Sequence, residues 1–179
     1  MFGLFSKKKK QLIVHDKIWT TDKAKFEACL EWGKSDPNIL FVAWFEETRN
    51  SLQLYFQENN LEKEIYLADR LGLMQEDKNF IFVEHHPLQA EEERLATRFG
   101  KKEITVLSSL AEPIFELFGS ARIIDLLKSM GMKEDEMIEH EMISNSILKA
   151  QEKIAAKSAV NISAKSQGEW LMNAGMIKL

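Results

Sequence analysis

Short apolar runs alternate with helical patterns along much of this chain, and this alternation limits its fold more than any other feature. Between residues 12 and 110, runs rich in β-branched and aromatic residues are separated by stretches whose apolar positions recur at helical spacing. The predicted strands are 12–20, 39–45, 64–68, 79–83 and 103–107, and the predicted helices between them are 22–34, 46–59 and 89–98. Such alternation predicts an α/β fold with a mostly parallel sheet and flanking helices.

The pattern changes after residue 110. Three further segments have a helical period, over 111–118, 122–130 and 138–160, and no further strand pattern follows. The sequence therefore predicts three parts. A basic, disordered segment covers residues 1–11, an α/β domain covers 12–110, and a helical C-terminal extension covers 111–179.

The composition narrows the class of protein. Apolar residues make up 45% and charged residues 29% of the 179 residues, as in soluble globular proteins. The longest apolar run, 39–45, is far shorter than the roughly 20 residues that a membrane-spanning helix needs. The single cysteine, Cys29, cannot form an internal disulfide and falls on the apolar face of a predicted helix. These features predict a cytoplasmic protein in which Cys29 is a core residue.

Charge is distributed unevenly. Residues 1–10 carry four lysines and no acid, residues 144–179 have a net charge of +3, and the region between them is strongly acidic. Because nonspecific affinity for nucleic acids comes mainly from clustered Lys and Arg, the acidic body predicts no nucleic-acid partner.

The basic start of the chain has two interpretations. Phe2, Leu4 and Phe5 precede four consecutive lysines, so residues 2–10 can form a weak tether to anionic lipid, peripheral at the inner face of the membrane. Alternatively, this segment is simply solvated. The sequence leaves both open.

Motifs of nucleotide chemistry are missing from the sequence. It contains neither a G-x-x-x-x-G-K-[ST] phosphate loop nor G-x-G-x-x-G, and no Ser–His–Asp or paired-carboxylate arrangement can be identified. We therefore predict no catalytic residues, no metal and no cofactor.

One group of polar residues follows a predicted strand. Glu84, His85 and His86 come directly after residues 79–83, and ligands of parallel α/β sheets bind at the carboxyl ends of strands. These residues, with Arg94, form a small-ligand or enzyme site in one interpretation and an ordinary surface strand end in the other.

Two other polar features have simpler interpretations. The run at residues 91–94 is interpreted as a solvated helix face. His140, near a predicted helix start, is interpreted as a capping or ion-paired residue.

A resemblance to a known family begins at residues 109–123. This stretch resembles the end of the second nucleotide-binding domain of SecA, the preprotein translocase ATPase. Phe-Gly-Ser-x-Arg-Ile at 118–123 is followed by Met-Gly-Met, Ile-Glu-His and Ala-Gln-x-Lys, in the family's order as it leads into the long scaffold helix. The resemblance implies a RecA-like fold of the P-loop NTPase type, in a truncated and degenerate stand-alone relative.

Departures from the family pattern concern the nucleotide. The family's Gly-Arg-x-Gly-Arg motif, whose arginines contact the γ-phosphate, corresponds here to residues 92–98, which lack its glycines. Arg94 or Arg98 can occupy one arginine position. Phosphoryl transfer needs a phosphate cradle, a metal ion and arginine together, so the resemblance implies no ATP hydrolysis by this chain alone.

The resemblance implies a protein-interaction or adaptor module related to preprotein translocation, with the export motor or the translocon as partner. The predicted partner surface is an apolar stripe made by Ile143, Ile147, Ala150 and Ile154, unless that stripe packs on the α/β domain. Two alternatives stay open. One is a ligand binder or enzyme that uses His85, His86 and Arg94, and the other is a half-motor that supplies Arg94 or Arg98 to a separate ATPase.

Overall fold

Five parallel strands form the centre of the protein. The computed structural model describes residues 12–72, 75 and 77–178, so the predicted segment 1–11 and its membrane interpretation lie outside the described residues. Within that part of the chain the sheet has the order β1-β5-β4-β2-β3, and every neighbouring pair is parallel. The strands are β1 (Ile13–Trp19), β2 (Ile39–Ala43), β3 (Ile65–Leu67), β4 (Asn79–Phe82) and β5 (Glu103–Ser109). The predicted α/β class with a parallel, RecA-like sheet is confirmed.

Helices connect these strands and then follow them. The connecting helices are α1 (Asp22–Ser35), α2 (Glu46–Glu58) and α3 (Gln89–Arg98), and the later helices are α4 (Pro113–Glu116), α5 (Ser120–Ser129), α6 (Glu141–Lys157) and α7 (Gln167–Asn173). The helix predicted over 138–160 begins three residues later, because Ile138 pairs with Ile18 at the open edge of β1. The sequence did not predict α7.

Helices cover both faces of the sheet. On one face, α1 and α2 pack on side chains such as Phe41 and Leu107, and Cys29 is fully buried there, as predicted. On the other face, α3 packs on side chains such as Val42 and Val106. Because alternate residues of β2 point to opposite covered faces, all five of its residues are buried.

A third apolar cluster lies across the carboxyl edge of the sheet. Residues from α4, α6 and α7 pack there against side chains at the strand ends, including Ile18 and Phe45. The stripe predicted as a partner surface belongs to this cluster, with Ile143, Ile147, Ala150 and Ile154 all buried. Its side chains therefore face the α/β domain.

The length and apolarity of the helices decide whether any of them could span a membrane. In the described part of the chain, none is both long enough and apolar enough to cross a bilayer.

Candidate functional site

Glu84 follows β4 and lies at the N-terminus of α2. Its Oε1 accepts hydrogen bonds from the backbone N–H groups of Trp44 and Phe45, each at 2.9 Å, and its Oε2 accepts one from the Thr48 hydroxyl at 2.6 Å. Free N–H groups at a helix start favour an anion, and the chain's own carboxylate supplies it here. Burial nevertheless raises the pKa of Glu84 to about 7.

The raised pKa of Glu84 predicts that the free energy of unfolding depends on pH. The variant Glu84→Gln should remove this contribution. The folded protein holds the Glu84 proton up to about pH 7, whereas the unfolded chain releases it near pH 4.5. Stability should therefore fall as pH rises through this interval, by at most about 1.4 kcal/mol per pH unit, relative to a glutamine that does not titrate. Urea unfolding at pH 5, 6, 7 and 8 measures the difference. The exposed Glu58→Gln is the control, and parallel pH profiles for wild type and Glu84→Gln would contradict the assignment.

His85 is held between two buried carboxylates. Its Nε2 lies 2.9 Å from Asp16 Oδ1, on β1, and its Nδ1 lies 3.0 Å from Glu92 Oε1, on α3. Both ring nitrogens donate in this arrangement, so the imidazole carries a positive charge. Burial opposes that charge, but the Glu92 and Asp16 carboxylates outweigh it and raise the pKa of His85 well above its ordinary value.

His86 points into an aromatic environment. Its ring lies 5.0 Å from the Trp44 ring and 5.8 Å from the Trp170 ring, measured between centroids. Burial lowers the pKa of His86, and Nδ1 accepts a hydrogen bond from the backbone N–H of Leu88 at 2.9 Å. A neutral imidazole fits both observations.

Two glutamines tie the later helices to this strand end. Gln151 of α6 donates to the carbonyl of His86, and Gln167 of α7 donates to the carbonyl of His85, each at 2.9 Å. The helices after β5 therefore hydrogen-bond directly to the loop in which ligands of α/β sheets usually bind.

Lys25 and Glu112 form a buried ion pair beside Glu84. The Lys25 side chain is 2% exposed, and its Nζ donates to Glu112 Oε1 at 2.8 Å and to the carbonyl of Val83 at 3.1 Å. Burial alone would lower the pKa of Lys25, but the Glu112 carboxylate outweighs it and raises this pKa. Burial raises the pKa of Glu112, whose Oε1 also accepts from the backbone N–H of Ser109.

The two predicted arginines lie on α3. Arg94 is exposed and donates to Glu91 Oε2 through Nε at 3.0 Å and Nη2 at 2.6 Å. Arg98 donates to the carbonyl of Leu71 at 3.2 Å, and its guanidinium lies 5.2 Å from the centre of the Phe99 ring. Both are thus engaged by neighbouring groups of the chain.

Two small cavities open near these groups. One of about 170 Å³ is lined by Lys25, Glu84 and Glu112, and the other, of about 80 Å³, by Asp16 and His85 among others. Among the described residues, no group of three or more His, Cys, Asp or Glu side chains is placed to hold a metal ion.

The sequence analysis did not predict that Glu92 and Lys25 are buried polar residues of this site. The reading of 91–94 as a solvated face is wrong for Glu92, which is 1% exposed. Helical spacing could have predicted this burial, because Glu92 precedes the buried Leu95 by three residues and so lies on the same face of α3. Lys25 likewise precedes the buried Cys29 by four. The capping role of His140 is confirmed, because its Nδ1 accepts from the backbone N–H of Met142 at 3.1 Å.

Comparison with known proteins finds similarity to protein translocase subunit SecA of several bacteria. Protein translocase subunit SecA of Acinetobacter baylyi is 34% identical over 79 residues, which cover 42% of this chain and 9% of that SecA. The SecA of Phocaeicola vulgatus is 38% identical over 78 residues, covering 41% and 7%, and that of Ehrlichia canis is 38% identical over 82 residues, covering 44% and 10%. No protein-family model matches the chain. The chain thus spans a tenth or less of the length of these relatives, and it is a partial SecA-like relative.

Proposed function

We propose that this chain is a non-catalytic, SecA-like interaction protein that binds a component of the preprotein translocation machinery at the cytoplasmic face of the membrane. The observation that carries the proposal is the 34–38% identity to protein translocase subunit SecA over about two fifths of the chain. Since a shared fold does not by itself assign a function, the proposal needs a binding test.

The burial and hydrogen bonding of the strand-end residues support a protein-binding role for the chain rather than catalysis at this site. Glu84, His85 and His86 are buried, and each has hydrogen-bond partners within the chain. Gln151 and Gln167 also bond to the backbone of this loop and hold α6 and α7 against it. A ligand binder or enzyme at these residues would have to act through the two small cavities that Glu84 and His85 line.

The outer face of α6 supports an electrostatic contact. Lys149, Lys153 and Lys157 are exposed and spaced four residues apart, so they are neighbours along one side of the helix. We call these three lysines the basic face. Its partner would be an acidic surface on the export motor or the translocon, because opposite charges steer association and fix orientation.

We also propose a division of roles near residue 110. Residues 12–110 would serve as a RecA-like platform, and residues 111–179 would present the basic face to the partner. Arg94 and Arg98 have no role in this contact. A transfer of either arginine to a separate ATPase would first require release from Glu91 or Leu71.

Reversing the charge of the basic face is expected to weaken partner binding. The variant Lys149→Glu/Lys153→Glu/Lys157→Glu should lose about tenfold or more in affinity, because like charges would then meet across the contact. Biolayer interferometry would use purified SecA of the same organism and translocon-containing vesicles, with protein-free anionic vesicles in a third channel.

A matched variant separates this contact from net charge. Lys23→Glu/Lys34→Glu/Lys128→Glu changes the charge equally, at exposed positions on α1 and α5, and should bind like wild type. Equal losses in both variants, or equal binding to protein-free vesicles, would rule out a protein contact through the basic face. Circular dichroism would verify that both variants fold.

A further inference from the structure

The cavity of about 170 Å³ at the carboxyl edge is strongly acidic. It lies among the N-terminal turns of α1, α2 and α7, and the ionisable side chains that line it are Asp22, Glu47, Glu84, Glu112 and Lys25. Asp22 and Glu47 are exposed, whereas the other three are buried. Asp22, Glu47 and Glu112, with Glu84 only partly ionised near pH 7, face a single ammonium, so the cavity favours a cation.

The buried groups of this cavity leave one acceptor open. Both oxygens of Glu84 accept hydrogen bonds, as does Glu112 Oε1. The Glu112 residue is only 6% exposed, and its Oε2 atom has no hydrogen-bond partner among the described residues. A buried carboxylate oxygen without a donor is costly, so this atom marks a place for a donor from outside the chain.

Lys25 does not fill that place. Its ammonium is directed to Glu112 Oε1, to the carbonyl of Val83 and to Asp22 Oδ1, which lies 3.4 Å away. Two of the three ammonium donors thus make hydrogen bonds, and the ammonium also forms an ion pair with the Asp22 carboxylate. The cavity therefore offers acceptors and negative charge to a ligand, and its one ammonium is already paired with two carboxyl groups of the chain.

We propose that this cavity binds a guanidinium group. A guanidinium is planar, carries five N–H donors in a fixed fork and is weakly hydrated, so it can bond to Glu112 Oε2 while Asp22 and Glu47 neutralise its charge at the opening. A divalent metal fits less well, because Mg²⁺ or Ca²⁺ takes six or more oxygen ligands and the buried oxygens here are already bonded, Glu112 Oε2 excepted.

Nuclear magnetic resonance titration of the full chain with methylguanidinium chloride tests this proposal. The concentrations stay in the millimolar range, far below those that denature proteins. Saturable shifts are expected for the backbone N–H groups of Thr48, Ser51 and Gly168, which line the cavity. Sodium chloride at equal ionic strength controls for screening. Shifts that do not saturate, or that sodium chloride reproduces, would overturn the proposal.

Three glutamate variants assign the site. Glu112→Gln replaces an acceptor with an amide and is expected to weaken methylguanidinium binding about tenfold, as for the loss of a charged hydrogen bond. Glu47→Gln, at the exposed opening, should weaken it severalfold and keeps the test valid if Glu112→Gln does not fold. Glu58→Gln, exposed at the far end of α2, should bind like wild type. Unchanged binding in Glu47→Gln would overturn the proposal.

Two further ligands distinguish the sources of the guanidinium. N-acetyl-arginine amide presents the side chain as a partner protein would, whereas free arginine represents a small metabolite. Binding of the blocked form with the affinity of methylguanidinium supports a partner's arginine, and binding of free arginine alone supports a small molecule. Failure of both, with methylguanidinium also inactive, contradicts a guanidinium site.

Discussion

Replacing Lys25 with methionine is expected to lower the free energy of unfolding by about 3–5 kcal/mol, because it leaves Glu112 as an unpaired buried carboxylate. Methionine retains most of the lysine volume, so the loss reports the missing charge rather than a cavity. Lys25 also donates to the carbonyl of Val83, which would lose this hydrogen bond. Urea denaturation at pH 7, followed by tryptophan fluorescence, measures the change.

A double variant isolates the ion pair. Lys25→Met/Glu112→Gln removes both charges while keeping an acceptor for the backbone N–H of Ser109, and it should recover part of the lost stability. The control Lys23→Met changes an exposed neighbour on α1 and should alter stability by less than about 0.5 kcal/mol. If Lys25→Met loses no more than Lys23→Met, the buried pair does not stabilise the fold.

The sheet could be predicted because its strands are short, apolar and separated by helical patterns. Residues 39–45 have no polar member, and β2 is indeed buried on both faces. The helices after β5 were harder to delimit. The helix predicted over 111–118 shrinks to the four residues of α4, and Gly119 takes a left-handed φ of 77° where α5 begins. The seven residues of α7 cover two turns, too few to show a helical period.

The sequence predicted the position of the strand-end site but not the residues that bond to it. Position alone identified Glu84, His85 and His86, since polar residues after a buried strand lie at the ligand-binding edge of a parallel sheet. Their partners come from far along the chain: Gln151 is 65 residues from His86, and Gln167 is 82 residues from His85. No local pattern predicts such pairs, because they depend on how α6 and α7 pack across the carboxyl edge.

Truncating Trp170 to alanine should cost about 3–5 kcal/mol of unfolding free energy, as for other buried tryptophans. Trp170 is 0% exposed, lies in the apolar cluster between α7 and the strand ends, and donates from Nε1 to Asn161 Oδ1 at 3.0 Å. Its loss should also release α7, and trypsin should then cleave after Lys165 more readily than in wild type. Urea unfolding and limited proteolysis measure the two effects.

The variant Trp170→Phe separates packing from the hydrogen bond. Phenylalanine keeps an aromatic ring against His86 but cannot donate to Asn161, so its cost should lie near 1 kcal/mol for the bond plus the lost ring volume. Because Gln167 accepts from the backbone N–H of Ile114 and donates to the carbonyl of His85, α7 should stay docked in this variant. If Trp170→Ala unfolds no more easily than Trp170→Phe, the glutamine contacts hold α7 in place and burial of the indole contributes little.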